Sequence, residues 1–287
     1  CQDLIKRFPK TQAAKKATLL LSRLLNPTYS LQVEHVNVPD QPFRALVSYQ
    51  NVRKVTYRII RLSVAELETY RDNQGEEIQR KKYASWLKRA VVLENSVNLP
   101  DDGDLNRHSV EMPIKGLPLG HYLLLAITDD KFTEKAETVQ YAAFSVSSLS
   151  YLLEPVNNNN EASQKLIVAN RTTGAPLADV AVTIVETGKV NNSDKRTLGL
   201  TDKNGQRTVS MCLLPTQSAF VYLIASGKDT LVSDRQYHYR FANNTDEERS
   251  QTVTKLFTDR AIYRPGQLIY VKGLVYEGKT NQYAVVA

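Results

Sequence analysis

Hydrophobic positions change their period three times along this chain. Through residue 26 they recur at helical spacing: Ala14, Ala17, Leu20, Leu21 and Leu24 share a stripe, with Lys15, Lys16 and Arg23 alongside. Pro9 separates a short first helix from a second, Thr11 stands where an N-cap belongs, and Asn26-Pro27 ends the segment. A helical hairpin over 1–27 is expected, of a size that would suit one unit of a helical repeat array. From Tyr29 the period becomes two. Leu31, Val33, His35 and Asn37 alternate with Gln32, Glu34, Val36 and Val38, and Pro39-Asp40-Gln41-Pro42 turns the chain. Phe43 to Tyr49 and Val55 to Leu62 read as the next strands.

The alternation is then interrupted. Ser63 is placed to cap a helix through Tyr70, and Glu76 to Ala90 carries Ile78, Tyr83, Trp86, Leu87 and Ala90 on or near one helical stripe. A partly helical insertion over about 63–90 is predicted. Strands resume at Val91-Val92-Leu93, His108 to Met112, Tyr122 to Thr128 and Thr138 to Ser147, closing a first β-sandwich over 28–148. Ser147 to Tyr151 reads as a linker, and Asn157-Asn158-Asn159-Asn160 as a loop. A second sandwich, Ig-like or similar to carboxypeptidase-regulatory domains, is expected over 149–250. It combines a Gly-x-Pro-Leu-x-x-Val strand entry at Gly174 to Val180 with Thr201-Asp202-Lys203-Asn204-Gly205, where Asn204-Gly205 signals a tight hairpin because both residues tolerate φ > 0. Further strands are read at Gln164 to Asn170, Phe220 to Ser226 and Gln236 to Phe241. The polar run at 243–250 is the clearest linker.

The densest motif follows it: Leu256-Phe257-Thr258-Asp259-Arg260-Ala261-Ile262-Tyr263-Arg264-Pro265-Gly266, then an apolar strand from Leu268 to Tyr276. Pro265 presets φ at turn position i+1, and Gly266 supplies the positive φ of a type II turn. The spacing of Phe257, Thr258, Asp259, Arg260, Tyr263, Arg264, Pro265 and Gly266 resembles the opening of a macroglobulin domain in the alpha-2-macroglobulin family, especially its large bacterial members. These eight residues are expected to be structural. Because the chain stops soon after Gly273, residues 251–287 are expected to be the start of a third domain, in a piece of a longer protein. The fold class expected is therefore mainly β: tandem macroglobulin or Ig-like antiparallel sandwiches behind a short helical hairpin.

The resemblance implies a protein of the cell envelope, in the periplasm or at the outer membrane. Such a protein inhibits endopeptidases when cleavage of a bait segment lets its domains collapse around the attacker. Proteases would be its partners through the full-length protein, with membrane anchoring outside this fragment and the present domains contacting their neighbours. Short linkers would let each sandwich rotate as a unit. The family's thioester motif, Cys-x-Glu-Gln, is matched neither by Cys1-Gln2-Asp3 nor by Cys212-Leu213-Leu214. An alternative from another class is a surface adhesion module, since Ig-like sandwiches serve binding equally well.

Composition narrows the remaining choices. Fifteen Tyr against a single Trp, with abundant Val, Thr and Ile, suit strands. The net charge of +7 raises nucleic-acid binding, but the cations are dispersed, with Arg80-Lys81-Lys82 and Lys88-Arg89 close to Glu76 and Glu77, so a solvated surface is the better reading. No metal, cofactor or catalytic site is expected. The four histidines, His35, His108, His121 and His238, are far apart and read as half-exposed strand residues. Asp101-Asp102-Gly103-Asp104 lacks the alternating oxygens and distal Glu of a calcium loop, and Asp129-Asp130 reads as a solvated strand end. Cys212 is read as a small core residue. Cys1 is read as an arbitrary starting point, with a lipid-bearing cysteine as the alternative.

Overall fold

The computed structural model describes the chain except for residues 73–75, 102, 134–138, 159–160, 187–194, 212–213, 215–216, 240–250, 260–265, 280–281 and 286–287. It forms two units, Cys1–His238 and Tyr239–Ala287. The hairpin of the first unit pairs α1 (Gln2–Arg7) with α2 (Gln12–Leu25). Thr11 caps α2: its hydroxyl accepts the Ala14 N–H at 3.2 Å and donates to the Phe8 carbonyl at 2.8 Å. Only Ala14 and Ala17 of α2 are buried, whereas Leu20 and Leu24 of the same stripe stay exposed. The side-chain amide of Asn51 donates to the Leu24 carbonyl at 2.6 Å, tying the end of the hairpin to the first sandwich.

That sandwich comprises β1 (Thr28–Val33), β2 (Val36–Asn37), β3 (Phe43–Gln50), β4 (Lys54–Leu62), α3 (Val64–Asp72), α4 (Glu76–Leu87), β5 (Val91–Asn98), β6 (His108–Ile114), β7 (Gly120–Ile127) and β8 (Val139–Val146). One sheet has the order β1-β3-β6 and the other β2-β8-β7-β4-β5. Residues 31–38 are not one strand. After Val33 the chain leaves β3, and Val36 and Asn37 pair in parallel with Ser145 and Val146 of β8 in the opposite sheet. Leu31, Val47, Tyr49 and Met112 from one sheet meet Tyr57, Ile59, Tyr122, Leu124 and Phe144 from the other, forming the first core.

The second sandwich adds β9 (Leu149–Asn158), β10 (Glu161–Asn170), β11 (Ala181–Glu186), β12 (Lys195–Leu200), β13 (Gln206–Ser210), β14 (Gln217–Ser226), β15 (Asp229–Val232) and β16 (Gln236–Tyr239). Sheet β13-β10-β9 faces sheet β12-β11-β14-β15, with β16 paired to β14. Between them lie Leu149, Leu166, Val168, Val182, Ile184, Phe220, Tyr222 and Ile224. Three local expectations are corrected here. The linker is shorter than Ser147–Tyr151, because Leu149 is already buried in this core and opens β9. Asn157 and Asn158 belong to a strand, paired with Ala162 and Glu161. Finally, the turn at Asn204-Gly205 is not a hairpin, because β12 and β13 on either side of it lie in different sheets; Gly205 has φ +71°, Asn204 does not share a positive φ, and Asp202 braces the turn, its Oδ1 accepting the N–H groups of Asn204 and Gln206 at 2.9 and 2.8 Å.

A third apolar cluster joins the two sandwiches. Ile60, Leu62, Leu123 and Leu125 project from the outer face of the first five-stranded sheet. They pack with Leu67, Tyr83 and Trp86 of the helical insertion and with Val185, Val221 and Val232 from the outer face of the second sandwich. This explains why β7 is buried along Tyr122 to Ile127 although it is antiparallel: alternate residues serve two cores, and neither face meets water. The expected rotation of these two sandwiches as separate units is thus replaced by a packed seam. The insertion is fixed by a capping box, with Glu66 accepting from Ser63 N–H at 2.7 Å and Ser63 Oγ at 2.9 Å while Ser63 Oγ accepts from Glu66 N–H at 3.3 Å.

The second unit, among its described residues, is a three-stranded antiparallel sheet: β17 (Gln251–Thr258), β18 (Val271–Lys279) and β19 (Gln282–Val285), in that order. The linker expected at 243–250 lies outside the described residues.

Candidate functional site

The motif singled out in the sequence sits where β17 passes into β18. Phe257 pairs with Lys272 and Thr258 with Val271. Asp259 then closes the connection from both its groups: its N–H donates to the Tyr270 carbonyl at 3.2 Å, and its carboxylate accepts the Tyr270 N–H at 3.1 Å. Gly266 has φ +84°, a conformation other residues rarely adopt. Arg260, Tyr263, Arg264 and Pro265 lie outside the described residues. The motif's placed members shape a strand connection, with the acid spent on backbone hydrogen bonds.

The seam between the two sandwiches carries the most buried polar chemistry. His121 of β7 is 4 % exposed; its Nδ1 lies 2.9 Å from Ser145 Oγ and its Nε2 lies 3.0 Å from Thr230 Oγ1. One imidazole therefore links β8 of the first sandwich to β15 of the second. A Ser–His contact invites comparison with a nucleophile and its base, but Ser145 is fully buried and the second ring nitrogen faces a hydroxyl rather than an orienting carboxylate. The group works as a clasp. Beside it, the Asp229 carboxylate accepts the Ser148 N–H at 2.7 Å, fixing the short connection. Arg171 donates through Nε to the Leu149 carbonyl at 3.1 Å; burial pulls its guanidinium pKa down, against the fields of Glu34 and Asp229. Arg171 also borders a cleft of about 700 Å³ with Glu34, Phe43, Arg44 and Glu111, in which Arg44 and Glu111 are ion-paired.

The remaining groups named from the sequence do not converge. His35 lies between β1 and β2, 3.6 Å from Asp234, and His238 is buried, so the half-exposed strand description fails for His35, His121 and His238 alike. His108 Nε2 lies 2.9 Å from Asp104. That hydrogen bond, with two from Asn106, holds the Asp104 carboxyl down at about 2. Asp101 is engaged by Arg53 at 2.7 Å and Asp130 by Lys54 at 2.7 Å, so these acids serve ion pairs on exposed turns. Among the described residues no three His, Cys, Asp or Glu side chains gather as a metal site. Cys1 is an exposed free thiol, and Cys212 lies outside the described residues. The clasp at His121 was missed in the sequence because its partners are 24 and 109 residues away.

No family model and no curated protein matches the chain. Among solved structures, it is similar to native alpha-2-macroglobulin from Escherichia coli in a fragment spanning domains MG0-NIE-MG1. Identity there is 14%, covering 72% of this chain and 64% of that one, with a TM-score of 0.48. It is similar to the NIE-MG1 fragment at 14% identity, covering 73% of this chain and 97% of that one, with a TM-score of 0.47. The D0-D1 domain of Intimin is similar at 14% identity over 74% of this chain and 98% of that one, with a TM-score of 0.31. The chain thus spans just under two thirds of the first of these fragments.

Proposed function

We propose that this chain is a non-catalytic scaffold part of a bacterial alpha-2-macroglobulin-like endopeptidase inhibitor. The observation that carries the proposal is the motif from Phe257 to Gly266, whose placed residues build a braced connection between two strands: Asp259 bonded twice to Tyr270, and Gly266 at positive φ. In support, the two sandwiches upstream are welded along a third core, which suits a part that transmits movement rather than one that performs chemistry. Proteases would be met by the full-length protein, in the cell envelope. The test is to offer the full-length protein an endopeptidase and then follow hydrolysis of a large and a small substrate. The expected result is lost activity on the large substrate with small-peptide hydrolysis retained. Unchanged activity on large substrates after the inhibitor has been cut would refute the reading, and cell fractionation checks the location.

A further inference from the structure

We infer that the helical hairpin α1–α2 is a docking surface for an anionic phospholipid bilayer, on which it would lie rather than insert across. The inference starts from what its surface offers. Leu19, Leu20 and Phe8 are 63 %, 50 % and 54 % exposed, and Leu4, Leu24 and Leu25 are exposed as well. Isolated exposed apolar residues are ordinary, but five in two short helices and Phe8 in the connection between them are a concentration that asks for a cover.

The charges identify that cover. Lys6, Arg7, Lys10, Lys15, Lys16 and Arg23 face a single carboxylate, Asp3, so most of the chain's formal net charge of +7 sits on this hairpin. Asp3 is itself paired with Arg7 at 3.1 Å. In α2, Lys16, Leu20, Arg23 and Leu24 follow i, i+4, i+7 and i+8 and therefore share one side of the helix, all exposed. Long cationic side chains bordering exposed leucines can reach past them, so that the apolar groups enter the headgroup boundary while Lys and Arg meet anionic lipid.

Two alternatives fit less well. A second copy of the hairpin would bring two strongly cationic surfaces together. A folded protein partner would need a rigid acidic face matched to cations spread along both helices, from Lys6 to Arg23. What remains is largely aliphatic surface and positive charge, which a fluid anionic surface satisfies without geometric matching. No helix among the described residues is long and apolar enough to cross a membrane, so the contact would be interfacial.

The experiment is flotation of the chain with vesicles of phosphatidylcholine alone or of phosphatidylcholine with phosphatidylglycerol. About tenfold or greater preference for the anionic vesicles is expected, weakening at high salt as the cations are screened. The double variant Leu20→Glu/Leu24→Glu abolishes binding, whereas Leu152→Glu, at an exposed site of the second sandwich, leaves it unchanged. A Phe8→Trp variant shifts its emission to the blue on anionic vesicles, while Trp86 is buried and stays constant. Matching thermal unfolding of the variants and the parent shows that the fold is intact. Equal binding to neutral vesicles, no binding to either, or concentration-dependent self-association removed by the Leu20/Leu24 variant would each overturn the inference. The protease assay above does not read this surface, so the two can fail independently.

Discussion

At the scale of single residues, Gly205 combines a positive φ with a close backbone neighbour. Its φ is +71°, and a Cβ built there would lie 2.4 Å from the Val168 carbonyl oxygen, an acceptor on the β10 backbone that cannot swing aside. Gly205→Ala is expected to lower stability by about 1–3 kcal/mol from the backbone conformation alone, with the clash adding to it. Urea denaturation measures the loss, and a change under half a kilocalorie would mean that the turn can shift. Asp104 permits a second prediction. Its depressed pKa of about 2 means the folded state favours the carboxylate. The stabilisation is present above the usual aspartate value near 3.9 and disappears as pH falls through about 2. His108→Ala removes the first cause of that shift, so a carboxyl-carbon NMR titration of Asp104 moves upward toward the ordinary range. An unmoved titration would assign the shift to Asn106 instead.

Between residues and the whole lie the elements, and the helical insertion shows what the sequence can reveal. Its stripe of Tyr83, Trp86 and Leu87 was legible because a 3.6-residue period is local. The surface it covers was not, because Ile60, Leu123 and Val221 are brought to it by pairings far along the chain. The switch of sheets after Val33 shows in the sequence only as a slip of phase, the apolar positions passing from 31 and 33 to 36 and 38, and a period of two does not say which neighbour a strand pairs with. Asn157 and Asn158 read as a loop from their polarity, yet strand pairing needs only backbone groups. One signal was available and unused: the unbroken apolar run Tyr122 to Ile127 in an antiparallel strand demands cover on both faces. Trp86 is the centre of that cover, 1 % exposed, edge-on to Tyr70 and Tyr141, with Nε1 donating to the Tyr70 hydroxyl at 2.9 Å. Trp86→Ala should cost about 3–5 kcal/mol by circular dichroism in denaturant. Glu66→Ala, which opens the capping box and frees Arg89, should cost about 1 kcal/mol. Equal losses would mean that the insertion is held by its cap rather than by its packing.

For the molecule as a whole, the consequence of the seam is mechanical coupling. Two sandwiches with separate cores joined by Ser147 and Ser148 alone would unfold independently. The contacts of Val185, Val221 and Val232 with Leu123, Leu125 and Trp86, together with the His121 clasp to Thr230, make unfolding of one expose apolar surface of the other. Residues 1–238 are therefore expected to melt in one calorimetric transition. Val221→Asp combined with Val232→Asp places two unpaired carboxylates in that contact while leaving unaltered both the first core and the second, to which these strands contribute Phe220, Tyr222 and Leu231 instead. Separation into two transitions, only one of them tracked by the fluorescence of Trp86, is the expected result. A single transition at lower temperature would locate the coupling in the covalent β8–β9 passage, with its Asp229–Ser148 bond, and not in the apolar seam.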